Sequence, residues 1–154
     1  MKMVVVGGNS RDVGKTSVVA GLIRALPHRN WTAIKITQFG HGICSIDNKE
    51  CDCAPGEHPF AIQEERDRSG RSDTSRFLVA GARRALWVRV RWGNLETVIP
   101  SLREAIDNEE NVILESNSIL RFFQPNLYLS VLDPAKSAPR WKPRTSPKRA
   151  GKRR

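Results

Sequence analysis

No run of about 18 apolar residues occurs anywhere in this chain of 154 residues, so the sequence offers no membrane-spanning segment. Lys2 is followed by only the apolar stretch Met3 to Val6 before Gly7, too little for the core of a signal peptide, and a cytoplasmic location is the expectation. Cysteine is scarce: Cys44, Cys51 and Cys53 are the only three, which in a reducing cytoplasm argues against a disulfide framework. No internal repeat is visible. Acidic residues are missing altogether from residues 135–154, where nine of the 26 Lys and Arg residues lie. The other 17 basic residues face 16 acidic ones, so the net charge of +10 belongs to that end and the first 134 residues are close to neutral. The length fits one domain with a substantial core, over residues 1–134. The Pro-, Ser- and Lys/Arg-rich stretch 135–154 reads as a disordered basic tail. Such a tail can meet nucleic acid through non-specific electrostatics. Trp141 is its only base-stacking aromatic, so a solvated appendage is the plainer reading.

What the chain does have is concentrated near its start. Met3-Val4-Val5-Val6 leads into Gly8-Asn9-Ser10-Arg11-Asp12-Val13-Gly14-Lys15-Thr16, and an amphipathic stretch runs on from Ser17 to Leu26. Strand, glycine-bounded loop, Gly-Lys-Thr and helix in that order are the context of a P-loop. Amides of such a loop and the positive end of the following helix converge on an anion. Gly8, Asn9, Asp12, Val13, Gly14, Lys15, Thr16 and Ser17 are therefore the candidate nucleotide-binding positions. Lys15 is placed to reach the β- and γ-phosphates and the Thr16 hydroxyl to ligate Mg²⁺. Five residues separate the two glycines where the standard loop has four, which puts Asn9 where a glycine usually stands. Asparagine tolerates positive φ better than most residues.

Strands are expected at Met3 to Gly7, Trp31 to Thr37, Ala85 to Val90, Asn111 to Glu115 and Asn126 to Leu132. Helices are expected at Lys15 to Leu26, Ser75 to Arg83 and Leu95 to Asp107. Residues 38–72 read as a long polar insertion containing all the cysteines. The alternation implies an α/β fold, a mostly parallel sheet flanked by helices. Ligands on such sheets bind at the carboxyl ends of strands, where Gly8, Thr37, Arg91 and Glu115 are expected to gather.

Glu115, closing the apolar strand Val112-Ile113-Leu114, is where a P-loop protein holds Mg²⁺. Lys35, in the second strand, points to phosphate or to a substrate acid, or simply to solvent. Asp12 is a candidate for orienting water or metal, and equally a surface charge of the loop. Around the second helix, Asp73, Thr74 or Ser75 suits a helix cap. Arg71 and Arg76 are candidate phosphate contacts and Asp73 a candidate water-orienting acid; nothing local decides between these roles. His41, Cys44, Cys51, Cys53 and His58 supply enough soft ligands for a tetrahedral Zn²⁺, with Cys44, Cys51, Cys53 and His58 the candidate set, against three ordinary thiols or a redox pair at Cys51 and Cys53.

Taken together these residues resemble the P-loop class that contains dethiobiotin synthetase, the MobB protein of molybdopterin guanine dinucleotide biosynthesis and the CobQ/CobB amidotransferases. Gly8-x5-Gly14-Lys15-Thr16 has the spacing of the dethiobiotin synthetase loop. Lys35-Ile36-Thr37 before Gly40-His41-Gly42 resembles that enzyme's second-strand lysine, with Ile36 in place of the usual proline. Gly70-Arg71-Ser72-Asp73-Thr74-Ser75-Arg76 with Ala80-Gly81-Ala82 is similar to the MobB pattern. Val112-Ile113-Leu114-Glu115 matches the strand-plus-Glu of both, though Ser116 stands where MobB-like proteins usually have glycine. The resemblance implies a P-loop NTPase fold, Mg²⁺, ATP or GTP, and hydrolysis or phosphoryl transfer by Lys15, Glu115 and Lys35 in cofactor biosynthesis. It also implies a homodimer. No Asn/Thr-Lys-x-Asp guanine motif occurs, so the base stays open. The other readings are a Cys/His metal-binding regulatory module with a nucleotide-sensing loop, and nucleic-acid binding through the tail.

Overall fold

β-branched runs separated by amphipathic helices fold here into a layered α/β arrangement, seen in a computed structural model that describes residues 1–10, 12–40, 44 and 58–135. Six strands share one sheet: β1 (Lys2–Gly8), β2 (Thr32–Phe39), β3 (Phe60–Glu64), β4 (Arg84–Arg91), β5 (Asn111–Glu115) and β6 (Leu127–Val131). Their order across the sheet is β3-β4-β2-β5-β1-β6. All neighbours pair in parallel except β3, which runs antiparallel to β4. The helices are α1 (Lys15–Ala25), α2 (Asp73–Val79) and α3 (Leu95–Ile106).

Each strand sends alternate side chains to opposite faces, and helices cover both. On one face Val6, Ala33, Ala85 and Ile113 pack with Val19 and Ile23 of α1 and Phe77 and Leu78 of α2. On the other, Met3, Val5, Ile34, Leu86, Val88, Val112 and Leu114 pack with Leu95, Val98, Leu102 and Ile106 of α3. Burial on both sides explains why the central strands read as unbroken apolar runs. Pro100 lies inside α3 on its exposed side, so the ring meets no neighbouring layer.

The sequence reading needs three corrections. Part of the supposed insertion over residues 38–72 is regular structure: β2 continues to Phe39, and Phe60–Glu64 is an edge strand. Five residues with one half-exposed face carry little hydrophobic signal, and polar neighbours hid them. α2 is shorter than expected and starts two residues earlier, at Asp73. Its cap is Ser72, whose hydroxyl accepts from the Ser75 amide at 3.0 Å, instead of Asp73, Thr74 or Ser75. The basic stretch 136–154, Cys51, Cys53 and His41 lie outside the described residues. Among the described residues no helix is long and apolar enough to cross a membrane.

At the amino ends of the parallel strands, Glu109 ties three elements together. It accepts from the Thr32 hydroxyl at 2.7 Å and pairs with Arg83 and with Arg84, the latter at 3.3 Å. Burial pushes its carboxyl up, but the Thr32 hydroxyl and the Arg83 and Arg84 guanidinium groups outweigh it and hold the pKa below the ordinary 4.5. Near pH 4 the unfolded chain then binds more protons at this position than the folded one, so stability rises with pH across that window. The contribution is complete above the ordinary value and is lost as pH falls through the depressed one. Urea denaturation from pH 3 to 7 should show this acid loss, and Glu109→Gln should flatten it; an unchanged pH slope in the variant would show that Glu109 carries none of it.

Candidate functional site

Parallel pairing brings the carboxyl ends of β1, β2, β4 and β5 to one edge, and the loops leaving them surround a cavity of about 900 Å³. One wall is the glycine-bounded loop and the start of α1: Asp12, Gly14, Lys15, Thr16 and Ser17. The rest of the lining comes from Gln38, Phe39, Trp92, Asn117 and Ser118, with Lys35, Asp73, Arg76 and Glu115.

The loop is held by its surroundings more than by itself. The Gly8 amide donates to Asn117 Oδ1 at 2.7 Å, and the Asn9 amide to the Val131 carbonyl at 3.3 Å. The Asn9 side chain makes a reciprocal pair with the Asp133 backbone, 3.0 Å in each direction. A Cβ on Gly8 would stand 2.8 Å from the Val131 carbonyl oxygen and from Val13 Cγ1, so only glycine fits there. Gly14 has φ of 101°, a left-handed conformation that spares α1 a side chain at its entrance. Asp12 also takes positive φ, 56°, and its side chain is exposed.

Gly14 offers α1 no side-chain cap, and the first turn of the helix holds no acid. The amides at that end therefore open toward the cavity with the positive end of the helix dipole behind them. Lys15 Nζ folds back onto the Ser10 carbonyl at 2.6 Å. The Thr16 hydroxyl donates to Glu115 Oε2 at 2.8 Å, and Glu115 is almost wholly buried. These two hard oxygen donors, with the Asp73 carboxylate nearby, suit the ligand preference of Mg²⁺.

Lys35, on β2, meets Glu115 Oε1 at 2.9 Å and Asp73 Oδ2 at 2.6 Å. Burial alone would pull its pKa down; the hydrogen bond and charge of Asp73 and of Glu115 more than reverse this, so the amine titrates above its ordinary 10.5. The ammonium form is thus fixed at neutral pH. Arg76 reaches Asp73 Oδ1 at 3.7 Å and the Ser17 hydroxyl at 3.2 Å, joining α2 to α1 across the cavity rim. A smaller cavity of about 370 Å³ lies beside the first and shares Lys35, Thr37 and Asp73 with it. Arg71, Ser72, Thr74 and Trp87 complete its lining.

Of the residues singled out from sequence, Asp12, Gly14, Lys15, Thr16, Ser17, Lys35, Asp73, Arg76 and Glu115 thus line one cavity, and Arg71 lines its neighbour. The Asn9 side chain is engaged by the Asp133 backbone, just beyond β6. Gln38, Trp92, Asn117 and Ser118 were missed. Each lies at or just beyond the carboxyl end of a parallel strand, and that position is the signal that could have found them. For Zn²⁺, Cys44 and His58 are both half-buried, and among the described residues no group of three or more His, Cys, Asp and Glu side chains is disposed to hold a metal. No protein-family model, curated protein or solved structure matches this chain.

Proposed function

We propose that this chain is a P-loop protein that binds a nucleoside triphosphate, ATP or GTP, together with Mg²⁺, and transfers or hydrolyses its terminal phosphoryl group. The observation that carries the reading is convergence. An uncapped helix start, Lys15 and the Thr16–Glu115 oxygen pair all face the same open cavity. The amides of residues 14–17 and the dipole of α1 supply fixed positive potential for phosphate oxygens. Lys15, released from the Ser10 carbonyl, adds a mobile charge on a flexible stem. Thr16 and Glu115 would hold Mg²⁺, which neutralises charge on the phosphates when bound.

Phosphoryl transfer asks mainly for positioning and electrostatic stabilisation. Lys35 and Arg76 bring further charged groups beside the start of α1, 3.4 Å from the Thr16 hydroxyl and 3.2 Å from that of Ser17. The second cavity, which shares Lys35, Thr37 and Asp73 with the first, is where an acceptor would sit if the group is transferred and not hydrolysed. A role in cofactor biosynthesis rests on the resemblance alone. Calorimetric titration with ATP and with GTP, each with and without Mg²⁺, tests the proposal. Binding that strengthens with Mg²⁺ is the expected result and also names the base; no heat with either nucleotide would overturn it.

A further inference from the structure

Two carboxylates from different elements and one hydroxyl converge on the ammonium of Lys35: Asp73 Oδ2 at 2.6 Å, Glu115 Oε1 at 2.9 Å and Thr16 Oγ1 at 3.4 Å. Oxygen donors gathered around one compact cation are also what a hard divalent ion requires. β2 delivers the lysine by strand register, with Lys35 directly opposite Glu115 on β5. α2 delivers Asp73 from the other side. The Glu115 side chain is only 6% exposed, so water does little to screen it, whereas that of Asp73 is 38% exposed on the cavity side. The ammonium between the two acids screens Glu115 instead.

From this geometry we infer that Lys35 is a tethered cation that fills the divalent-ion position of the nucleotide-free protein, so that the metal enters only together with the triphosphate. The inference rests on the nucleotide reading above and adds an order of events to it. A divalent ion arriving alone meets Lys35 already seated, with the Lys15 and Arg76 charges beside it. Phosphate oxygens change the balance, because they offer Lys35 a strong competing partner and its four-carbon stem lets it turn toward them. Asp73 and Glu115 are then released to the metal that accompanies the phosphates. Lys35 in this role is a positioning residue, and its effect is read in metal uptake without any turnover.

Mn²⁺ serves as the probe, since it accepts the same oxygen ligands as Mg²⁺ and its free form is counted by electron paramagnetic resonance. The full chain should take up little Mn²⁺ alone and about one equivalent when ATP or GTP is added, counted as Mn²⁺ retained with the protein on equilibrium dialysis beyond that held by the nucleotide alone. Lys35→Met should bind Mn²⁺ without nucleotide at least about tenfold more tightly than the unaltered protein. Lys35→Gln should do the same, so a folding failure of one variant, seen by circular dichroism, does not decide the matter. Adding Asp73→Asn to either variant should remove the gain. Nucleotide-free Mn²⁺ uptake that is equal in the unaltered protein and both folded variants would overturn the inference. Failure of both ATP and GTP to bring Mn²⁺ into the unaltered protein would instead count against the nucleotide reading, whatever the variants do.

Discussion

Lys15→Ala should abolish measurable triphosphate binding while leaving the protein folded. The only hydrogen bond Lys15 Nζ makes among the described residues is to the Ser10 carbonyl, and the net worth of such a bond is about 1 kcal/mol. Its loss is small beside the stability of a domain of this size. In the proposed complex the same ammonium faces the terminal phosphates in a partly dehydrated cavity, where charge-assisted bonds are far stronger. A rise in Kd of about a hundredfold or more, roughly 2.7 kcal/mol, is expected by calorimetry with Mg²⁺ and ATP. Thermal melting followed by circular dichroism should move by only a few degrees. Unchanged affinity in the variant would mean that the phosphates are not held by this loop, and the proposed function would fall with it.

Phe77→Ala should be the most damaging single change in the core, at about 3–5 kcal/mol of unfolding free energy. α2 has only seven residues, too few to persist by its own hydrogen bonds. Phe77, fully buried, and Leu78 hold it against Ala33, Ala85 and Ile113. The cavity left by the ring has helix on one side and sheet on the other, and a helix this short has little to keep it in place. The same helix carries Asp73 and Arg76 into the site. The variant should therefore also lose the Lys35–Asp73 pairing that closes the cavity floor. Urea denaturation measures the first effect; a loss under about 1 kcal/mol would show that the layer repacks around the gap.

The glycine-bounded loop, the five parallel strands and the positions of Lys35 and Glu115 were legible from sequence because each has a local signature. Apolar β-branched runs mark Val4–Val6 and Val112–Leu114, and Gly14-Lys15-Thr16 marks a strand-to-helix turn. Asp73 was legible only as a candidate. Its role depends on α2 passing beside β2, a long-range contact to which no local pattern points. β3 was missed because Phe60-Ala61-Ile62 is too short a run to stand out from its polar neighbours. Asn9 read as a phosphate-loop residue by position, whereas its side chain is committed to the Asp133 backbone, far along the chain. Zn²⁺ at Cys44, Cys51, Cys53 and His58 had composition behind it but no spacing rule, and Cys51 and Cys53 fall outside the described residues.

The way the loop is pinned also governs the order in which this protein can become competent during its synthesis. β1 is made first, yet its partners in the sheet are β5 and β6, which are made last. Asn9 waits for Asp133, 124 residues later, and the Gly8 amide waits for Asn117, 109 residues later. A ribosome that has finished α1 has therefore produced every residue of the glycine-bounded loop and none of these distant supports. Contacts this distant make for slow folding, since the chain must close its largest loops before they are rewarded. The segment that announces itself earliest in the sequence is among the last to take shape, and a nascent chain halted before residue 117 carries the motif without the cradle.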